Sequence, residues 1–471
     1  MSTTKLIAKN TAVQIIGKTI STILGLMAVG IMTRTLGVEK FGWYVTATGF
    51  LQFIGIFSDF GFTAITAKML SEPQFDKNKL LNNLFTWRFI TALFFQGLAP
   101  FAILLFPYPT PIKMAVIVMS LSFFAISINQ IFIGYCQSNL KMGIQMTGEI
   151  IGRIILVLGL LFIGVNNYGF LPAMAVITLA SVIYTLYLWQ KIPGVRFSFD
   201  PIISKGIFQK IWPTATTVIF NAFYLQGDRV ILPLYSPQTD VALYGAAYRL
   251  LDVVTQSAWM IMGVMMPLVA FAWSRKLTEE FRKKYQMSLD LVALFLMPMI
   301  AGIVVLANPI MYLIGGSDFK NFDNPGRILQ FLAIAIFGIA FGNIFGYMAL
   351  AIERQRQAMW IYFSDAVLTT IAYFVLIPRY GIYGAAAAAV FSELYAGLGL
   401  MLLANYYAQF TPNFKTLAKI TLASILMGLL IYKLQPLNII ISIILGVLCY
   451  TFLVVTLKII SKKTILEVIK K

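Results

Sequence analysis

Apolar runs of about twenty residues recur from one end of the chain to the other, separated by short polar turns. A run of that length, wound as an α-helix, crosses a hydrocarbon core of ~30 Å. Lipid offers no partners to backbone N–H and C=O groups, so each run must close its own hydrogen bonds as a helix. Charged residues make up only 11% of the 471 positions, against about 25% in a soluble domain. Too little charge is available to cover a wet surface. The fold class is therefore an all-α polytopic membrane protein, with no soluble domain of useful size between the spans.

A net charge of +18 would suggest nucleic acid if it were gathered on one domain. Instead, most of the 36 Lys and Arg fall in every second loop and at the two termini. That asymmetry is the positive-inside signature. It places both termini in the cytoplasm, makes the number of spans even, and directs the basic excess toward anionic lipid headgroups. Nucleic acid is excluded as a partner. Cys136 and Cys449 lie far apart inside apolar segments and read as packing residues. The first apolar stretch runs to about Met32, too long for the apolar region of a signal peptide, and reads as a retained span.

Six spans are expected near 10–34, 41–66, 84–106, 114–136, 143–165 and 170–189, forming an N-lobe over 1–190. A basic linker, 191–210, contains Gly194 and Asp200-Pro201 and reads as the hinge between halves. A C-lobe over 211–408 holds six more, two of them flanking the turn from Ser236 to Asp240. The rest fall near 285–314, 329–352, 360–378 and 382–406. Two further apolar spans within 409–457 bring the total near fourteen, and 458–471 is a basic amphipathic tail suited to the cytoplasmic membrane surface.

The halves repeat. Gly134-Tyr135 and Tyr168-Gly169 recur as Gly346-Tyr347 and Tyr380-Gly381, a constant offset of 212 residues. The same offset carries Ala173 and Ala175 onto Ala385 and Ala387, while Phe41-Gly42-Trp43-Tyr44 is echoed by Tyr244-Gly245. Six spans per half give both halves one orientation, so the repeat axis lies along the membrane normal. The expected architecture is two pseudo-symmetric six-helix lobes plus two C-terminal helices.

Polar residues follow steps of three and four on four spans. The stripes are Asn10, Gln14, Lys18, Ser21 and Gly25 on the first, and Thr48, Gln52, Asp59 and Thr63 on the second. On the seventh they are Thr214, Thr217, Asn221, Tyr224 and Asp228, and on the eighth Tyr248, Asp252, Thr255 and Trp259. Small polar residues alone also serve helix packing, but four stripes carrying charges favour a wet central cavity. A charge at mid-bilayer costs roughly 2.5–3.5 kcal/mol, so each is a candidate site residue. Arg249 and Asp252, three apart, are spaced to neutralise each other; Glu149 and Arg153, four apart in the favourable order, read either as a same-helix pair or as substrate contacts. Lys18 has no carboxylate within a turn and reads as the least compensated cation, with snorkelling to the interface as the alternative. The 212 offset lands Arg153 on Asp365, which makes those two a candidate gating pair between lobes.

Enzyme chemistry finds little footing. The chain has no histidine, which removes His-based triads, His metal sites and His general bases. No GxxxxGK[ST] phosphate loop is present. No catalytic residue, metal site or cofactor is expected.

The segments TRTLGVEKFGWY, GDRVILPLYSPQTDVALYGAAYRL and YGIYGAAAAAVFSE, in this order and spacing, resemble polysaccharide exporters of the Wzx (O-antigen flippase) type. Those belong to the multidrug/oligosaccharidyl-lipid/polysaccharide (MOP) superfamily, and the resemblance covers essentially the whole chain. It implies a V-shaped cavity lined by spans one, two, seven and eight in a bacterial or archaeal cytoplasmic membrane. It also implies transport of an undecaprenyl-diphosphate-linked oligosaccharide, alongside polysaccharide polymerase or biosynthesis proteins, with H+ or Na+ as candidate coupling ion. The family's cationic cavity matches Lys18, Arg34, Arg229 and Arg249 by position, with Asp228 and Asp252 to position or neutralise the arginines. Asp59, Asn221 and Tyr248 complete the expected substrate-binding set. The two extra spans resemble those that accept a lipid tail in lipid II flippases. A drug or cation antiporter, a lipid II flippase and a membrane glycosyltransferase are the alternatives.

Overall fold

The computed structural model describes residues 3–71, 75–192, 194–434 and 438–459, the side chains of 3–9, 64 and 212–225 excepted. Asn221 thus lies outside the described side chains, with Thr214, Thr217 and Tyr224 of its stripe and the basic tail beyond 459. Among the described residues the structure is helical, without strands.

The helices are α1 (Thr3–Leu36), α2 (Val38–Asp59), α3 (Phe62–Ser71), α4 (Lys77–Ala102), α5 (Thr110–Ser138), α6 (Met142–Val165) and α7 (Phe170–Lys191). Then come α8 (Pro201–Tyr235), α9 (Gln238–Ser274), α10 (Thr278–Gly315), α11 (Gly326–Ala351), α12 (Gln355–Ala408), α13 (Lys415–Lys433) and α14 (Ile439–Thr456). Eleven helices among the described residues are long and apolar enough to cross a membrane; α2 and α8, which carry two of the polar stripes, are not among them. One of the eleven is α12, whose 54 residues turn at Gly381, where φ is 53°. A side chain is disfavoured at that angle, so glycine makes the turn.

The second span differs from expectation. A continuous helix over 41–66 is broken in the structure between Asp59 and Phe62, where Phe60 and Gly61 take φ of 47° and 88°. The break is hidden from hydropathy because its residues are as apolar as the helix around them.

The chain forms two compact units, Met1–Leu243 with Ile314–Asp318, and Tyr244–Leu313 with Phe319–Lys471. In the first, α1 lies along α6, and α2 packs against α4, α5 and α8. An aromatic and aliphatic core joins α3, α4 and α5 to the first turns of α8 through Phe62, Leu84, Phe85, Phe132 and Ile207. In the second, α11 lies along α12, with Gly338 against Glu393 and Gly397. Gly428 of α13 faces Val305 and Ala301 of α10. Lipid is as apolar as leucine, so association here rests on close backbone approach through small residues rather than on apolar burial.

Candidate functional site

Three polar clusters lie in the first unit, and each joins residues distant in sequence. The first is the seam of α2 with α8 and the first residue of α9. On α2, Gly42, Thr46, Gly49 and Gln52 follow steps of four, three and three, which keeps them on one face. Gly42 lies against the carbonyl of Gln238 and Gly49 against the Cβ of Arg229. Without side chains at 42 and 49 the backbones approach closely, and the polar residues between them then reach across. Thr46 donates to Gln238 Oε1 at 2.8 Å, and Arg229 Nη1 donates to Gln52 Oε1 at 2.6 Å. Asp228 is buried and its Oδ1 accepts the Arg229 backbone N–H at 2.8 Å. Tyr108 OH donates to Val230 O at 2.7 Å, and burial raises that phenol's pKa well above its ordinary value.

A Cβ added at Gly42 would stand 1.9 Å from the Gln238 oxygen. That oxygen is backbone, so the helices must part. Gly42→Ala is therefore expected to abolish cross-linking of a Thr46→Cys, Gln238→Cys pair by a short bifunctional reagent. Retained cross-linking would show that the seam tolerates a side chain.

The second cluster lies between α1 and α6. Gly17 meets Met146, and Gly25 meets the guanidinium of Arg153. Between them Glu149 Oε1 accepts from Lys18 Nζ at 3.2 Å and from Ser21 Oγ at 2.6 Å. Lys18 is thus a compensated cation, contrary to the reading of the sequence. Its partner is 131 residues away, beyond any one-helix argument. Among the described residues Arg153 shares no ion pair with Glu149.

The third cluster, at the α2–α3 break, joins Asp59 of the expected substrate-binding set to Arg88, which the polar stripes leave out. Arg88 of α4 is 2% exposed, and its Nη1 lies 2.8 Å from Asp59 Oδ1. Its Nη1 also donates to Ser58 O at 3.0 Å, and its Nε to Ser127 O at 2.9 Å. Asp59 in turn accepts the N–H groups of Gly61 and Thr63 and the Thr63 hydroxyl. The cation therefore sits at the C-terminus of α2 and the carboxylate at the N-terminus of α3, each matched to its helix dipole. The one signal available in the sequence was a lone arginine inside an apolar span.

The remaining candidates lie outside these three clusters. Arg34 lies against Gly316, within 3.0 Å of where its Cβ would stand. In the second unit Tyr248 packs on Tyr244 with ring centroids 4.8 Å apart, Arg249 is half-buried and Asp252 exposed. Thr255 is buried and bonds its own helix at Leu251 O. Asp365 is fully buried, its two oxygens accepting hydroxyls from Thr369 at 2.9 Å and Ser392 at 3.0 Å. Among the described residues no three of Cys, Asp and Glu gather as metal ligands.

Comparison with known proteins places this geometry. A family profile described as polysaccharide biosynthesis protein matches residues 7–273, and one for the lipid II flippase MurJ matches 255–463. A Shigella flexneri protein named for O-antigen transport is 21% identical over 404 residues, covering 81% of this chain and 93% of its own. A Haloferax volcanii protein named as a flippase of low-salt glycan biosynthesis is 22% identical over 451 residues, covering 91% of each. The solved structure of lipid II flippase MurJ in an inward closed conformation superposes with a TM-score of 0.77 at 17% identity, over 93% of this chain and 97% of that one. At that identity the likeness concerns fold alone. The chain belongs to the polysaccharide biosynthesis protein family.

Proposed function

We propose that this protein is a flippase that carries an undecaprenyl-diphosphate-linked oligosaccharide across the cytoplasmic membrane by alternating access. The observation that carries the reading is Arg229, half-buried on α8 with its guanidinium oriented by Gln52, in a chain of the polysaccharide biosynthesis family. An oriented guanidinium grips phosphate oxygens bidentately. Arg229 and Arg249 take the diphosphate, with Lys18 and Arg34 adding positive field. Asp228 and Asp252 position or neutralise the arginines, and Tyr248 and Asn221 suit sugar faces and hydroxyls. The lipid tail stays in the bilayer while two lobes, 1–190 and 211–408, rock about the substrate. Arg153 and Asp365 open and close as a gating pair, H+ or Na+ couples the cycle, and both termini face the cytoplasm beside other polysaccharide biosynthesis proteins.

A lipid II flippase is the second reading, favoured by the MurJ profile over 255–463. A cation antiporter would need carboxylates to dominate the cavity, and two of its candidates are engaged: Asp59 with Arg88, Asp228 with the Arg229 amide. Binding by the purified chain separates these readings. An undecaprenyl diphosphate glycan is expected to raise the melting temperature, while the same glycan on a neutral lipid and a cationic dye leave it unchanged. Stabilisation by the dye alone would favour the antiporter; by lipid II alone, the second reading.

A further inference from the structure

Residues 195–200, within the 191–210 linker that the sequence marks as a hinge, are tied down. Asn82 Oδ1 of α4 accepts the N–H of Arg196 at 3.0 Å, Thr86 Oγ1 that of Ser198 at 2.9 Å, and Asn83 Oδ1 that of Asp200 at 2.8 Å. Alternate residues of an extended segment present their N–H groups to one side, and the third span supplies an acceptor for each. Phe197 packs between the rings of Phe85 and Phe89, at 5.3 and 5.0 Å, and Trp87 Nε1 donates to Ser204 Oγ at 3.0 Å. Asp200 then caps α8, accepting from Ile202 N at 2.9 Å.

The second unit holds the counterpart. Gln286 of α10 accepts the N–H of Asn413 at 2.7 Å and donates to its carbonyl at 2.9 Å. Phe410 packs on Tyr285 at 5.6 Å, and Tyr285 OH donates to Asn405 Oδ1 at 2.9 Å. Asn413 Oδ1 accepts from Lys415 N at 2.9 Å, at the start of α13. Phe197-Ser198-Phe199-Asp200 thus falls on Phe410-Thr411-Pro412-Asn413 without a gap. The ring contact, the bonded amide and the capping residue coincide at one offset, within one residue of that relating the halves.

We propose that this strap is a positioning device used once in each repeat. Side chains of the third span (Asn82, Asn83 and Thr86; then Gln286) hold the segment leaving the sixth span, and so fix where the next helix begins. The helices α13 and α14 then stand to the second repeat as α8 and α9 stand to the first, as the opening hairpin of a third. The linker moves with the first six spans, and the motion of alternating access is taken up within α8 or beyond it. The inference rests on the two-repeat reading of the transporter.

Single-residue hydrogen exchange on the full chain in nanodiscs tests it. The amides of Arg196, Ser198, Asp200 and Asn413 are expected to exchange roughly a hundredfold more slowly than open loop amides. Asn82→Leu, Asn83→Leu and Thr86→Val together should release the first three and leave Asn413 protected; Gln286→Leu should do the reverse. Should the triple variant fail to fold, Thr86→Val alone releases Ser198, and Thr86→Ser restores it. Spin labels at the exposed Lys79 and Lys205 are expected to keep one narrow distance when an undecaprenyl diphosphate glycan is added, and to broaden in the triple variant. Exchange of residues 196–200 at loop rates in the unmodified chain, or a ligand-dependent change in the label distance, would overturn the proposal. The exchange readout and the broadening in the triple variant do not depend on a bound glycan, so failure of the flippase reading leaves both unmoved.

Discussion

Asp59→Ala is expected to yield a protein that inserts in the membrane but is destabilised by about 3–5 kcal/mol, the cost of leaving one member of a buried ion pair uncompensated. Arg88 would remain 2% exposed, with the carbonyls of Ser58 and Ser127 as acceptors and no carboxylate to balance its charge. The cap at the start of α3, made by Asp59 on Gly61 and Thr63, is lost at the same time. Arg88→Leu should cost less, because the Asp59 side chain is 20% exposed and keeps its cap donors. Asp59→Ala with Arg88→Leu should be more stable than Asp59→Ala alone, since the stranded cation is gone. Thermal unfolding of the three purified variants in detergent checks the order. If the double variant were the least stable of the three, the pair would not be holding the break between α2 and α3.

Arg229→Ala carries the largest expected functional effect, a loss of export of about a hundredfold or more at unchanged membrane level. The size follows from removing hydrogen bonds to a charged group, worth about 1.5–3 kcal/mol each, at a diphosphate that one guanidinium can grip twice. Arg229→Lys keeps the charge but not the fork, and should recover only part of the rate. Gln52→Ala releases the guanidinium from its 2.6 Å acceptor and should cost less than either. Arg249→Ala is expected to follow Arg229→Ala. Full export by both alanine variants, measured as surface polysaccharide at matched protein levels, would remove these arginines from the site.

Much of the fold is legible in the sequence because lipid makes hydropathy a direct reporter of spanning helices. The turns at Tyr168-Gly169 and Tyr380-Gly381 are legible for a related reason. Glycine takes a positive φ at both, 85° at Gly169 and 53° at Gly381. The site is less legible, because its contacts are long-range and several acceptors are backbone atoms. Helical periodicity finds Lys18 but not Glu149, which reaches it from α6. It cannot find Arg88, whose acceptors include two carbonyl oxygens that any residue would supply. Periodicity puts the polar residues of the second span on one wet face, yet in the structure they divide. Gln52 meets Arg229, Asp59 meets Arg88, and Thr48 bonds back to Tyr44 O. Glycines 42 and 49 show the converse failure. They look like ordinary breaks in an apolar run, and only the approach of Gln238 and Arg229 gives them a role.

Transport of a diphosphate-linked glycan is measured by flipping in proteoliposomes of the purified chain. Undecaprenyl diphosphate oligosaccharide is placed in both leaflets, and the fraction cleaved by an external, impermeant glycosidase is followed over time. Cleavage is expected to rise from about half to nearly all of the lipid with the unmodified protein, and to stop at the outer leaflet's share with Arg229→Ala or with empty vesicles. Cleavage that stops at half with the unmodified protein, under proton and sodium gradients of either sign, would contradict such transport.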